Sequence, residues 1–103
     1  MGKIVYHKDN YIITEEHSKR GYIVINTEGT YENHGHVKSF KVAKTIIDLV
    51  QRKTIPYSDY LRHTALRLTL DNNYKMDILR KIEKDRNKEQ YFNINKGLKG
   101  VRK

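Results

Sequence analysis

Two histidines, His34 and His36, lie two residues apart and could perform metal or acid–base chemistry. On an extended strand, residues at this spacing lie on the same face. Two imidazoles in that arrangement can bind a divalent metal, and Glu32 would follow on the same face as a carboxylate ligand or base. A metal-dependent nuclease uses such groups to activate water. Because no further ligands can be assigned from the rest of the sequence, the pattern favours surface histidines, and neither a metal, another cofactor nor a catalytic residue is predicted.

A second set of candidate residues surrounds the connection between two predicted helices, near position 71. The segment resembles a helix-turn-helix at Ala65 and at three later apolar positions, but Thr69 stands where glycine is usual. In that motif the first residues of the second helix contact base edges, and asparagine can pair with adenine in the major groove. The residues in those positions are Asn72, Asn73, Lys75 and Met76. Two packed helices with a capped turn are the alternative.

Basic side chains are concentrated in the second part of the chain. Residues 37–103 carry 17 Lys or Arg against 7 Asp or Glu, whereas residues 1–36 carry four against five, so the second part supplies the net charge of +9. Such asymmetry suggests a surface that binds a polyanion. The residues expected to contact nucleic acid are Lys38, Lys41, Lys44, Arg52, Lys53, Arg62, Arg67, Asn72, Asn73, Lys75, Arg80, Lys84, Lys99, Arg102 and Lys103.

These features predict a small, basic, non-enzymatic nucleic-acid-binding protein, with DNA favoured over RNA. Its cations would neutralise phosphates and release counterions. One alternative is an interaction or inhibitor protein that docks on a larger protein with an acidic surface, which the eight tyrosines would suit. The other is the His-dependent metal nuclease. The abundance of Lys, Ile, Asn and Tyr, whose codons are AT-rich, suggests a low-GC bacterial genome or one of its phages, which is compatible with a phage or mobile-element origin.

The first predicted helix covers residues 38–53, because apolar residues recur there at helical spacing. Ser39 is the expected N-cap, and Pro56 disfavours helical backbone at the residue before it. Asp48 lies four residues from both Lys44 and Arg52 and can pair with each. The buried face is expected to comprise Phe40, Ala43, Ile46, Ile47 and Val50.

Two further helices are predicted between Pro56 and about residue 87. Ser58 is the expected N-cap of the second, and one of residues 71–73 caps the third. The second helix should bury Leu61, Ala65 and Leu68, and the third Tyr74, Ile78 and Ile82. On the second helix, Arg62, His63 and Arg67 are expected to point away from the core.

The first third of the sequence predicts short strands over residues 3–7, 11–16, 22–27 and 30–36. Residues 22–25 are apolar on both faces, which indicates a central strand, and Glu28-Gly29 is typical of a two-residue hairpin turn. Weak alternation over residues 90–95 could form another short strand. The sequence therefore predicts an α+β fold, in which an N-terminal antiparallel sheet of three to four strands precedes three helices. Residues 1–95 would form one domain and 96–103 a mobile basic tail.

Composition excludes several classes of protein. The chain has 103 residues, the size of one domain, and no cysteine, which excludes a disulfide scaffold, a Cys-ligated zinc finger and a Cys nucleophile. Its longest apolar run has four residues, far too few to span a bilayer or to form a signal peptide. We therefore expect a cytoplasmic protein without a membrane partner.

Overall fold

The computed structural model describes residues 3–17 and 20–102, with side chains up to residue 88. Four strands come first: β1 (Ile4–Lys8), β2 (Tyr11–Glu15), β3 (Tyr22–Asn26) and β4 (His34–Val37). Three helices follow: α1 (Phe40–Gln51), α2 (Asp59–Leu68) and α3 (Asn72–Arg102). The strands pair antiparallel in the order β1-β2-β3-β4. This confirms the predicted α+β fold and the central position of β3.

One face of the sheet packs against the helices and forms the core. Successive strand residues alternate between the two faces, and Ile13, Val24 and Val37 lie on the face that the helices bury. The α2 helix lies along β4, where Gly35 permits a close approach. A Cβ added to Gly35 would lie 2.6 Å from Cγ2 of Thr64. Glycine is therefore needed there for space.

The α1 helix has the predicted cap and four of the five residues of the predicted buried face. The Ser39 side chain accepts a hydrogen bond from the Val42 N–H at 3.1 Å. Phe40 is half-buried, with its ring centroid 5.8 Å from that of Tyr6 and 5.8 Å from that of Tyr22. The fully buried residues of α1 are Ala43, Ile46, Ile47 and Val50. This segment was predictable because one amphipathic stripe determines its orientation.

The caps of α2 and α3 are also as predicted. The Ser58 side chain accepts from the Leu61 N–H at 3.1 Å, and Asp71 accepts from the Tyr74 N–H at 3.1 Å. The α3 helix is longer than predicted and includes residues 90–95, so the expected short strand is wrong there. Neither glycine nor proline interrupts the sequence between residues 72 and 96, so nothing ends the helix earlier. That residues 96–103 form a mobile tail stays a prediction, since their side chains lie outside the described part.

The connection between β3 and β4 differs from the prediction. It is a loop of residues 27–33 rather than a two-residue turn, and β4 begins at His34 instead of position 30. Gly29 does not have a positive φ; a Cβ added at this position would instead clash with Oδ1 of Asn33. That oxygen accepts from the Thr30 N–H at 2.8 Å. The glycine therefore makes room for the Asn33 side chain that holds the loop.

Candidate functional site

Two adjoining grooves share Arg67 and lie along the edge strand β4. One is lined by Tyr31, Glu32, Asn33, His34, Leu66, Arg67 and Lys75. The other is lined by Gly35, His36, Asp59, Tyr60, His63, Thr64 and Arg67. We call this continuous surface the β4–α2 groove. It combines cations, carboxylates, imidazoles and tyrosines from three parts of the sequence.

Three contacts join β4 and its preceding loop to α2. The Asn33 amide donates from Nδ2 to the Arg67 carbonyl at 2.9 Å. The Tyr60 hydroxyl donates to the His36 carbonyl, and Gly35 packs closely on Thr64. These contacts hold α2 against β4 and its preceding loop, and thereby position the two walls of the groove.

The histidines occupy one face of β4, as predicted. Their ring centroids are 5.2 Å apart. Nδ1 of His34 lies 2.8 Å from the Tyr31 carbonyl, and Nδ1 of His36 lies 3.0 Å from Oε1 of Glu16. A carbonyl or carboxylate oxygen can only accept, so in each ring Nδ1 carries the proton and Nε2 is the free nitrogen when the ring is neutral.

The predicted third ligand does not join these histidines on the strand. Glu32 is exposed in the loop before β4. Among the described residues, no group of three or more His, Cys, Asp or Glu side chains is arranged to hold a metal ion. On α2, Nε2 of His63 lies 3.5 Å from Oδ2 of Asp59, one turn away. Each histidine of the groove therefore has a structural contact.

Arg62 does not belong to the exposed basic set in which the sequence placed it. It is buried, with 8% of its surface exposed. Its Nε donates to the Pro56 carbonyl at 2.7 Å, and its Nη1 donates to Oδ2 of Asp85 at 2.7 Å. The hydrogen bond from Arg62, followed by that from Lys81, lowers the pKa of Asp85. The prediction that Arg62 points away from the core is wrong. Its buried guanidinium is compensated by the carboxylate of Asp85 on α3, which lies 23 residues further along the chain.

Three other predicted cations pair with neighbouring aspartates. Arg52 contacts Asp48 at 3.1 Å, as the spacing of four predicted. Lys53 contacts Asp71 at 3.3 Å, and Arg80 contacts Asp77 at 3.7 Å. The hydrogen bond from the backbone of Tyr74, and then that from Lys53, lower the pKa of Asp71. These pairs reduce the charge available to a polyanion.

Other predicted cations make no ion pair within the described part of the chain. They are Lys38, Lys41, Lys44, Arg67, Lys75 and Lys84. Nζ of Lys44 lies 5.3 Å from the Tyr6 ring centroid and 5.6 Å from that of Phe40. Arg67 and Lys75 line the β4–α2 groove. The side chains of Lys99, Arg102 and Lys103 lie outside the described residues.

The residues assigned to a helix-turn-helix lie at the start of α3. Asn72, Asn73 and Met76 are exposed, whereas Lys75 is half-buried beside the groove. The α2 and α3 helices pack against each other. Base reading by Asn72 and Asn73 stays a prediction, since exposure is needed for it but does not establish it.

Sequence reasoning missed several groove residues, among them Tyr60 and His63. They lie on α2, one turn apart, and face β4 only because Gly35 lets the helix approach. The one available signal was the glycine between two histidines, which marks a close approach to another element.

A further groove of about 530 Å³ is polar and lies between the β1–β2 turn and the α2–α3 turn. Its groups are mostly paired: Gln51 donates to Asp9 at 2.7 Å, and Asn10 donates to Asn26 at 2.8 Å. Asn26 in turn donates to the Leu68 carbonyl at 2.7 Å. This network joins the sheet to α2 and is structural.

Fold and groove together define a small α+β protein with a four-stranded meander and, along its edge strand, a groove that carries Arg67 and Lys75 together with two carboxylates. No family model, curated protein or solved structure matches this chain. No helix among the described residues has the length and apolar character needed to cross a membrane.

Proposed function

We propose that this protein binds nucleic acid, with the phosphates held in the β4–α2 groove. The observation that carries the proposal is that Arg67 and Lys75 line this groove without an ion pair among the described residues. An arginine guanidinium can bind two phosphate oxygens at once, and a lysine provides a compact positive charge. Among the described residues neither side chain has an ion-pair partner, so both charges are available to a ligand.

The remaining unpaired lysines support the proposal as a second, less specific surface. Lys38 precedes α1, Lys41 and Lys44 lie in its first half, and all three are exposed. The net charge of +9 attracts a polyanion. Phosphate binding releases condensed counterions, which gives a steep dependence of affinity on salt.

The test is a salt series of binding titrations with fluorescently labelled DNA and RNA. For about 4–7 phosphate contacts with duplex DNA, the slope of log K against log salt is about −4 to −6. Replacing both Arg67 and Lys75 with Ala should reduce the magnitude of that slope by about 2. The matched control replaces Arg52 and Arg80, which removes the same net charge from residues already paired with Asp48 and Asp77.

Binding to neither DNA nor RNA at low micromolar protein and about 50 mM salt would contradict the proposal. Equal effects of the groove variant and the control variant would place the interface outside the groove.

A second candidate function, docking on a larger protein with an acidic surface, is favoured by apolar residues on α3. Met76 and Leu79 lie three residues apart and are 48% and 47% exposed. Arg80 and Lys84 lie on the same helix. They would suit a partner protein whose acidic residues form a rim around an apolar contact. Failure of every nucleic-acid titration would make this the leading function.

A further inference from the structure

We infer that Tyr31, His34 and His36 form a platform on which unpaired bases stack, so that the ligand of the β4–α2 groove is a single strand. This inference rests on the proposed function and specifies its substrate. We call these three side chains the Tyr–His row.

The three rings follow one another along the edge of the sheet. The ring centroids of Tyr31 and His34 are 5.6 Å apart, and those of His34 and His36 are 5.2 Å apart. Tyr31 is 90% exposed, and His36 is exposed as well. A large aromatic side chain so exposed buries almost nothing in the fold, so its ring is free to contact a ligand.

The sheet beside the row offers an apolar surface. In the register, Ile25 lies opposite His34, and Ile23 lies opposite His36, so each pair shares the face that points away from the helices. Both isoleucines are half-buried and lie outside the core cluster. A flat base that stacks on a row ring would therefore also cover apolar side chains at its edge.

Two cations line the same groove as these rings and could bind the phosphates of the stacked nucleotides. Arg67 and Lys75 line the same groove as Tyr31 and His34, and Arg67 also lines the part that contains His36. Aromatic rings that bind bases beside cations that bind the backbone are the usual components of single-strand recognition. In a duplex the base faces are already stacked on each other, so the row could not contact them.

The experiment compares a single-stranded oligonucleotide containing 2-aminopurine with a hairpin duplex of the same composition, at pH 8. Histidine is ordinarily neutral at that pH, so an effect of the row reports stacking rather than charge. Wild-type protein should quench the 2-aminopurine fluorescence and bind the single strand more tightly than the duplex. Tyr31→Ala should weaken single-strand binding about 5- to 100-fold and remove the quenching, while duplex binding changes less than about two-fold. Tyr31→Phe should retain both properties.

Tyr57→Ala is the matched control, because Tyr57 is 99% exposed and lies outside the groove. Its removal should leave single-strand affinity unchanged. If duplex is bound as well as single strand, and Tyr31→Ala behaves like Tyr57→Ala, the inference is overturned while the proposed function stands. Binding to neither ligand would overturn both.

Discussion

The Asn33 side chain connects two segments that are 34 residues apart, because its Nδ2 donates to the Arg67 carbonyl at 2.9 Å. Its Oδ1 also accepts from the Thr30 N–H at 2.8 Å. One amide thus fixes the loop that carries Tyr31 to the end of α2 that carries Arg67. The relative placement of a proposed stacking ring and a proposed phosphate ligand depends on this residue.

Asn33→Ala should therefore affect both stability and binding. Loss of these two hydrogen bonds should lower the free energy of unfolding by about 1–2 kcal/mol, and the freed loop should weaken single-strand affinity. Urea unfolding and the same oligonucleotide titration measure the two effects. Asn33→Asp keeps the acceptor for Thr30 but cannot donate to the Arg67 carbonyl. It should retain less binding than wild type, and an Asn33→Ala protein with unchanged affinity would show that the loop anchor is irrelevant to the ligand.

Gly35 should not tolerate a side chain unless its neighbour becomes smaller. In Gly35→Ala the new Cβ would lie 2.6 Å from Cγ2 of Thr64, which should cost about 1–3 kcal/mol of stability through overpacking. Thr64→Ser removes that methyl group and keeps the hydroxyl that donates to the Tyr60 carbonyl at 3.0 Å.

A double-mutant cycle measures the coupling between Gly35 and Thr64. The double variant should be more stable than Gly35→Ala alone. Strictly additive effects would mean that the backbone moves apart instead of clashing at this methyl.

The helices and their caps were predictable because their signals are local. Ser39 and Ser58 cap residues three positions away, and the α1 stripe repeats within its own segment. The loop before β4 was mispredicted because Glu28-Gly29 matched a turn pattern, whereas Asn33 contacts a carbonyl 34 residues later. No spacing within a short window contains that contact.

The same limit explains what was predictable of the candidate site. Two histidines on one strand face follow from the period of two along a strand. The placement of Arg67 and Tyr60 beside this edge strand required the packing of α2 on β4. Arg62 was misplaced because burial of a cation depends on a partner, and Asp85 lies 23 residues further along the chain.

Asp85 should make the stability of the domain sensitive to acid. The Arg62 hydrogen bond lowers the pKa of Asp85 below its ordinary value of 3.8. The unfolded chain therefore takes up a proton at a higher pH than the folded one, and this stabilisation is present above about pH 4 and is lost as the pH falls below it. The free energy of unfolding of Asp85→Asn should differ less between pH 7 and pH 3 than that of wild type.

Replacement of the exposed Asp59 with Asn is the control for Asp85. Urea unfolding at the two pH values makes the comparison. A wild-type acid response in Asp85→Asn would show that the pair with Arg62 does not couple protonation to folding.

Tyr74 should make stability sensitive to alkali in the opposite direction. Burial, and then the nearby Tyr11, raise its pKa from 10.0 to about 12, and its hydroxyl donates to the Thr54 carbonyl at 2.6 Å. The unfolded chain loses this proton near pH 10 while the folded chain keeps it, so the contribution to stability is complete below pH 10 and is lost as the pH rises towards 12.

Tyr74→Phe should lower the free energy of unfolding by about 1 kcal/mol at pH 7 through loss of the hydrogen bond, and its stability should decline less than that of wild type between pH 10 and 12. Denaturant unfolding across that interval, with the exposed Tyr57→Phe as control, measures the difference, and parallel declines in wild type and Tyr74→Phe would exclude the buried phenol as the titrating group.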